Sequence, residues 1–432
     1  MRDNRPIVII GAGPAGLAAA EVLAQAGHRV QVYEQKPTAA RKFLMAGKTG
    51  LNISHTEDFE QFISRYDQPD WLRPMILPCQ SSTIEQWMES LGIASYVGSS
   101  GRLFPVAMKA APLLRAWLNR LKQLGVKFFY RHQWLGWNDQ DQLRFLSLQS
   151  AQQNAQQPAQ QQAITVDYRA VVLATGGGSW ARLGSDAAWV ELLQQQQIKV
   201  LPLQASNVGI RLDWSEFMQP LAGQPLKRIN AWVDNTVTQQ GSVEPSQVYH
   251  GEAVISHYGL EGGLIYRLNH DLRKSFNQQG QAVLYLDLLP DLTEDILINR
   301  LESSSKPSGT KQSLANRWRK AGLDPVKIAL IREILPRSQW QIASKVAAIL
   351  KQLPLTIQGF QPIDEAISTA GGVDRQAMTD DLMLVQKPGV FCCGEMLDWD
   401  APTGGYLLTA CLATGQQAAQ GVIQWLVSNA ES

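Results

Sequence analysis

Cysteine is scarce in this chain. Four residues, Cys79, Cys392, Cys393 and Cys411, are spread over 432 positions. None form a Cys-x-x-Cys pair and no His/Cys spacing suggests zinc, which argues against a dithiol redox centre and against any metal site. Cys392-Cys393 follow Val390-Phe391 on an apolar run and read as small core residues. Long apolar runs are also lacking. None reaches the ~18 residues that cross a bilayer. No targeting segment precedes the first apolar strand, so the expected location is cytoplasmic, without a membrane partner. Neither sign of charge dominates: 39 Lys+Arg stand against 38 Asp+Glu. That balance draws the whole chain neither to nucleic acid nor to an anionic surface. The hydrophobic fraction of 45% and charged fraction of 18% suit a globular enzyme. The length points to two or three domains. The oligomeric state is not legible.

What is present begins at Gly11-Ala12-Gly13-Pro14-Ala15-Gly16, directly after the apolar run Ile7-Val8-Ile9-Ile10. Gly11 allows a sharp strand-to-helix turn. Gly13 lets a pyrophosphate approach the backbone, and Gly16 lets the helix pack against the sheet. The following helical stretch, Leu17 to Ala26, offers its N-terminal N–H groups and positive dipole end to phosphates. Gly27 fits the helix end. Glu34, closing the next apolar run Val30-Gln31-Val32-Tyr33, sits where an acid accepts hydrogen bonds from a ribose; Gln35 follows it. This reads as a dinucleotide site.

Further along, an amphipathic helix is expected over about 110–124, then strands at 126–130, through Trp134, and at 143–145. Residues 149–162 are almost all Gln, Ala, Ser and Asn and read as a low-complexity loop without chemistry. An apolar strand then runs into Ala174-Thr175-Gly176-Gly177-Gly178, whose small residues allow close backbone approach to a cofactor. Near the C-terminus, Gly389 to Asp398 reads as a strand delivering Glu395 and Asp398, and Gly404-Gly405-Tyr406 opens a last helix. Such an element hydrogen-bonds a ribitol through its acids and stabilises negative charge on a reduced flavin. Together these favour FAD over NAD as the resident cofactor. The absence of a second GxGxxG means that either a pyridine nucleotide, NAD(P)H, docks transiently over the flavin, or another reductant or O₂ serves.

The expected architecture is therefore α/β: a Rossmann-like FAD-binding domain split in sequence into 1–203 and 368–432. Between the halves lie alternating strands over 204–290, a helical basic segment over 291–350, and a return strand over 351–367. From Arg300 to Lys351 there are 11 Lys+Arg and 3 Asp+Glu, a net of 11 − 3 = +8. Trp318 and Trp340 are interleaved. The segment reads either as an RNA-contacting surface or as a solvated face over core tryptophans.

The combination of Arg41-Lys42 through Asn52, Ala174-Thr175-Gly176-Gly177, Gly251 to Gly259, Thr369-Ala370-Gly371-Gly372-Val373 and Gly394-Glu395-Met396-Leu397-Asp398 with Gly404-Gly405-Tyr406 resembles a group of microbial flavoproteins. That group contains aminoacetone-oxidase-like, bile-acid-reductase-like and ribosomal-RNA dihydrouridine synthase-like members. The resemblance runs from about residue 7 to the last helix. It implies a Rossmann-like FAD-binding domain of the two-dinucleotide-binding type, with a β-barrel-like insert carrying a small helical subdomain. It also implies FAD contacts at Ala15, Glu34, Arg41, Lys42, Trp134 (through its backbone, beside the adenine), Glu395, Asp398, Leu407 and Leu408. Gly47 and Asn52 belong to the loop after Arg41-Lys42, and Pro14 lies in the phosphate turn. Three departures stand out. Gly47-Lys48-Thr49-Gly50-Leu51-Asn52 lacks the cysteine often found in that loop. Leu407 replaces a frequent Asn after Gly-Gly-Tyr. Ala40 replaces a Gly before Arg-Lys.

Among catalytic candidates, His257 in Ser256-His257-Tyr258-Gly259 is either a proton-transfer group or a structural histidine. Arg102 and Lys48 suit an anionic or carbonyl substrate, or else a cofactor or surface contact; His55 is a weaker candidate. The expected function is FAD-dependent hydride transfer with a small or nucleobase-like unsaturated substrate. The alternatives are a ribosomal-RNA uridine reductase, an O₂-using amine oxidase and a flavin-binding redox sensor without turnover.

Overall fold

A computed structural model describes residues 5–46, 50–148, 161–233, 247–303 and 313–429. Contacts divide the chain into two units, Met1–Ala205 with Ile363–Ser432, and Ser206–Pro362.

The first unit is built on a five-stranded parallel sheet. Its order is Val390–Cys392, Ala170–Leu173, Ile7–Ile10, Val30–Glu34, Lys127–Tyr130. The inner strands Ile7–Ile10 and Ala170–Leu173 are buried at every residue, which explains their unbroken apolar sequence: helices cover both faces of such a sheet. Ile10 pairs with both Tyr33 and Leu173, and Leu173 pairs with Cys392. The next residues, Gly11, Glu34, Ala174 and Cys393, therefore leave the sheet side by side at its carboxyl edge, where open α/β sheets hold their ligands.

The helix Pro14–Gln25 starts with Pro at its first turn and carries no acidic residue there, so its positive end is uncompensated. It packs on the last helix, Tyr406–Ser428. A Cβ on Gly415 would stand 2.2 Å from the Ala15 carbonyl oxygen, so only glycine permits this approach. That contact joins the two ends of the chain into one layer. Three smaller sheets are also present among the described residues: the pair Val200–Ser206 and Ser368–Val373, the meander His132–Trp137, Leu143–Leu148, Gln161–Val166, and the set Ser54–His55, Arg102–Pro105, Ser95–Val97. The Gln-rich stretch thus ends two residues earlier than its composition implies. Gln161 and Gln162 already pair with the preceding strand, and residues 149–160 lie outside the described residues.

The second unit holds a seven-stranded antiparallel sheet. It begins at Leu353–Ile357 and ends at Gly359–Phe360. These two edge strands are separated only by Gln358. A single bent segment thus forms both edges, and the sheet curls back on itself as a barrel does. Gly359, at φ +138°, takes the bend. The stretch expected to be only strands also contains helices Gly263–Arg267 and Asn269–Gln279. Helices Glu294–Ser303, Leu314–Lys320, Pro325–Ile334 and Ala343–Lys351 follow, and their Leu330, Ile331 and Leu350 share one core with Leu284 and Leu286 of the sheet. Among the described residues no helix is long and apolar enough to cross a membrane.

Candidate functional site

The carboxyl edge of the parallel sheet opens into a cleft of about 1030 Å³, its mouth included. Its floor is the glycine turn. Gly11 has φ +104°, and a Cβ there would stand 2.2 Å from the Ala174 carbonyl oxygen. A Cβ on Gly16 would stand 2.1 Å from the Gly11 oxygen. Both are demanded by the fold itself. Gly13 differs: a Cβ there meets nothing within 4 Å, and its backbone is extended, at φ −80° and ψ 178°. Its lack of a side chain keeps open a space that the protein does not fill. The uncompensated helix end of Pro14–Gln25 faces the same turn, which makes that space a place for phosphate.

Glu34 stands at the adjoining strand end. One carboxylate oxygen accepts the Ala12 amide at 2.9 Å and the other the Lys36 amide at 2.8 Å. Burial, foremost, pushes its carboxyl up from the usual range, and these two amides oppose that. Each oxygen retains a lone pair for a ribose hydroxyl. Gln35 is turned to a neighbouring loop, donating to the Gly184 carbonyl at 2.7 Å.

Opposite lies an ion pair between chain ends. Lys42 Nζ donates to both oxygens of Glu395, at 2.9 and 2.7 Å, and to Ser179 Oγ at 2.5 Å. Glu395 Oε1 also accepts the Thr369 amide at 2.9 Å. Arg41, Lys42, Trp134, Ala174, Thr175, Gly176, Gly394 and Glu395 line one cleft with Gly11, Gly13, Pro14, Ala15, Glu34 and Gln35. Trp134 lies on that wall, its ring edge-on to Trp137 at 4.9 Å.

Four buried polar atoms in this wall have no hydrogen-bond partner: Arg41 Nε, Trp134 Nε1, Ser185 Oγ and Trp189 Nε1. Buried polar groups are otherwise almost always paired. An open space kept clear by Gly13, with a phosphate turn below and a ribose acid beside it, fits FAD. Bound there, FAD supplies two-electron hydride chemistry; Gly13 and the first turn of the helix would hold its pyrophosphate and Glu34 its ribose.

Other expected cofactor residues lie outside this wall. Gly16 packs beneath the turn. Asn52, Asp398, Gly404, Gly405, Tyr406, Leu407 and Leu408 do not line the cleft. Asp398 instead accepts from Gln68 at 2.9 Å, and burial, foremost, raises its carboxyl. Gly405, at φ +103°, caps the last helix without a side-chain bond, and that helix too has no acid in its first turn. Gly47 and Lys48 lie outside the described residues. Arg102 and His55 are brought together as cross-strand partners. His257 belongs to the second unit, where it is exposed at a strand turn, its carbonyl accepting from Gln219 at 3.2 Å and its ring edge-on to Tyr258. Trp318 is buried and meets Trp340 at 6.3 Å, with Arg332 over both rings, so these tryptophans pack inside the helical layer. Arg319, Lys320, Arg337 and Lys345 are exposed.

Sequence reasoning missed part of the wall: His132, Gln133, Leu183, Ser185, Asp186, Trp189, Leu192 and Cys411. The loop after Gly178 carried one signal, its lack of any period. Its backbone explains that, with Trp180 at φ +63°, Gly184 at +114° and Ala187 at +59°. All four cysteines are free. Burial pushes the Cys411 thiol up to about 12 and raises Cys392 and Cys393, so none is poised as a thiolate.

Two bacterial proteins are similar over nearly the whole chain. One, from Escherichia coli, is named ribosomal RNA dihydrouridine synthase; it is 25% identical over 433 residues, covering 96% of this chain and 97% of its own. The other, from Haemophilus influenzae, bears the same name and is 23% identical, covering 92% and 94%. Of solved structures, the open conformation of a flavocytochrome c3 fumarate reductase is similar with a TM-score of 0.48, at 13% identity, covering 98% of this chain and 78% of that one. Residues 5–421 match the family described as HI0933-like protein Rossmann domain. With that match and this cleft, the chain belongs to the HI0933-like Rossmann-domain family and is an FAD-dependent oxidoreductase.

Proposed function

We propose that this flavoprotein reduces the C5=C6 double bond of a uridine in ribosomal RNA. The observation that carries the reading is the end-to-end likeness to the Escherichia coli protein of that name, at 96% and 97% coverage. Two features of the chain support it. The sequence between Arg300 and Lys351 carries a net +8, and Arg319, Lys320, Arg337 and Lys345 of that segment are exposed, which suits phosphates. The chain also has one dinucleotide turn, so FAD is resident and the substrate is met by other residues.

Uracil is an enone-like ring, and its reduction takes one hydride and one proton. The hydride comes from the reduced flavin when FAD is bound. The protein's part is to hold the ring, bind its carbonyl and give the proton. The test is to map dihydrouridine in ribosomal RNA from a strain lacking the gene and from the same strain complemented. Loss at one site with recovery on complementation is the expected result. Identical RNA in both strains overturns the reading, and substrate-dependent peroxide release with amines would replace it by an oxidase.

A further inference from the structure

The two-residue strand Ser54–His55 pairs antiparallel with Arg102–Pro105, Ser54 opposite Leu103 and His55 opposite Arg102. Side chains alternate across a strand, and directly opposed residues share a face. Ser54 and Leu103 are both fully buried, so His55 and Arg102 stand together on the other face. The imidazole is held from three directions. Its Nδ1 accepts the Glu57 amide at 3.1 Å. Its ring stacks on Tyr406 with centroids 5.7 Å apart and planes 17° off parallel. Gly101, at φ +78°, lies against it, and a Cβ there would stand 2.7 Å from Cε1.

With Nδ1 accepting an amide, neutral His55 carries its proton on Nε2. The charged groups around it are accounted for. Glu57 lies 3.9 Å from Nδ1, but its carboxylate is engaged by Arg65 at 2.7 Å and by the Tyr406 hydroxyl. Arg102 is exposed and makes no ion pair among the described residues. Tyr406 opens the last helix directly after Gly404-Gly405, and Cys411, on that helix, lines the cofactor cleft. The imidazole and a guanidinium without an ion pair thus sit on one face, tied by a ring stack to the helix whose Cys411 lines the cleft.

We propose that His55 and Arg102 form the substrate side of this flavoprotein, Arg102 binding the carbonyl oxygen of the unsaturated ring and His55 delivering the proton. This rests on the uridine reading. In the step, the C5=C6 π bond is replaced by two C–H bonds. With FAD bound and reduced, C6 would take the hydride, and the negative charge passes through O4, held by Arg102. C5 takes the proton from Nε2 of neutral His55, and the imidazolate left takes a proton from water, whose hydroxide solvent neutralises. A pyridine nucleotide would restore the two electrons.

The test uses the full chain loaded with FAD and unmodified ribosomal RNA. His55→Ala and His55→Gln should retain FAD but lower the rate of flavin reoxidation by RNA about 10²-fold, the usual worth of a general acid. Added imidazole should restore part of the His55→Ala rate, which a merely structural role would not allow. Arg102→Ala should weaken binding of a uridine-containing oligonucleotide about tenfold, the loss of one charge-assisted hydrogen bond. In the flavin-free protein that oligonucleotide should shift the His55 imidazole resonances. Unaltered reoxidation in the His55 variants, or a loss that tracks flavin content and resists imidazole, overturns the assignment. A wild-type enzyme that leaves ribosomal RNA unreduced overturns the uridine reading itself.

Discussion

Lys42 Nζ lies 2.7 Å from Oε2 and 2.9 Å from Oε1 of Glu395, a residue 353 positions away. The contact joins the two halves of the split flavin domain across the cleft. Lys42→Met leaves a largely buried carboxylate without its cation. Losing charged hydrogen bonds costs about 1.5–3 kcal/mol where water is excluded. The side chains here are 28% and 13% exposed, so about 1–2 kcal/mol is expected. Urea denaturation of the flavin-free protein should show that loss, together with reduced FAD retention after gel filtration. Unchanged stability and retention would refute the role.

Two glycines of the same turn should fail in different ways. Gly13→Ala adds a methyl group to open space, so flavin-free stability should change by less than about 1 kcal/mol while FAD occupancy falls sharply. Gly16→Ala drives a Cβ into the Gly11 carbonyl and should destabilise the protein by about 1–3 kcal/mol with or without FAD. Flavin content and melting temperature of both variants separate the two outcomes.

Ala40 holds φ +51°, in the left-handed region, while its amide donates to the Ala12 carbonyl at 2.9 Å. A non-glycine residue there costs about 1–2 kcal/mol. Glycine returns about 0.4–1 kcal/mol of unfolded-chain freedom. Ala40→Gly should therefore raise stability by up to about 1 kcal/mol, measured as a higher urea midpoint. A lowered midpoint would contradict the strain.

Glu57 supplies a pH test. Burial, foremost, pushes its carboxyl up, but hydrogen bonds from Arg65 and Tyr406 outweigh it and hold it below the ordinary value of 4.5. A folded-state value below the unfolded one contributes stability that is complete above 4.5 and lost as pH falls through the folded value. Glu57→Gln should be less stable at neutral pH and lose less on further acidification. Parallel stability curves for wild type and variant below that pH would disprove the assignment.

How far the site could be read in advance follows from the range of the forces involved. The phosphate turn was legible because each glycine answers a constraint within a few residues: a turn, an approach, a helix contact. Glu34 and the Ala174–Gly176 return strand were legible because parallel strands set their ends in register. Ala40 was seen only as a departure, and its φ supplies the reason why glycine suits that place. The pairing of His55 with Arg102 was not legible because it depends on a two-residue strand, which no periodicity announces. The wall from Leu183 to Trp189 was missed because Trp180 and Ala187 hold left-handed backbone that no glycine announces, with Gly184 alone marking the loop between them. Trp318 and Trp340 show the reverse case: interleaved with charge in sequence, they pack on each other inside the helical layer.

One anaerobic titration tests the account most directly. The purified protein is loaded with FAD, reduced with pyridine nucleotide or dithionite, and then given unmodified ribosomal RNA. The account predicts that the visible flavin bands bleach and then return, with dihydrouridine formed in amounts equal to the flavin reoxidised. A protein that cannot be loaded with FAD, or a reduced flavin that the RNA leaves bleached, would contradict it.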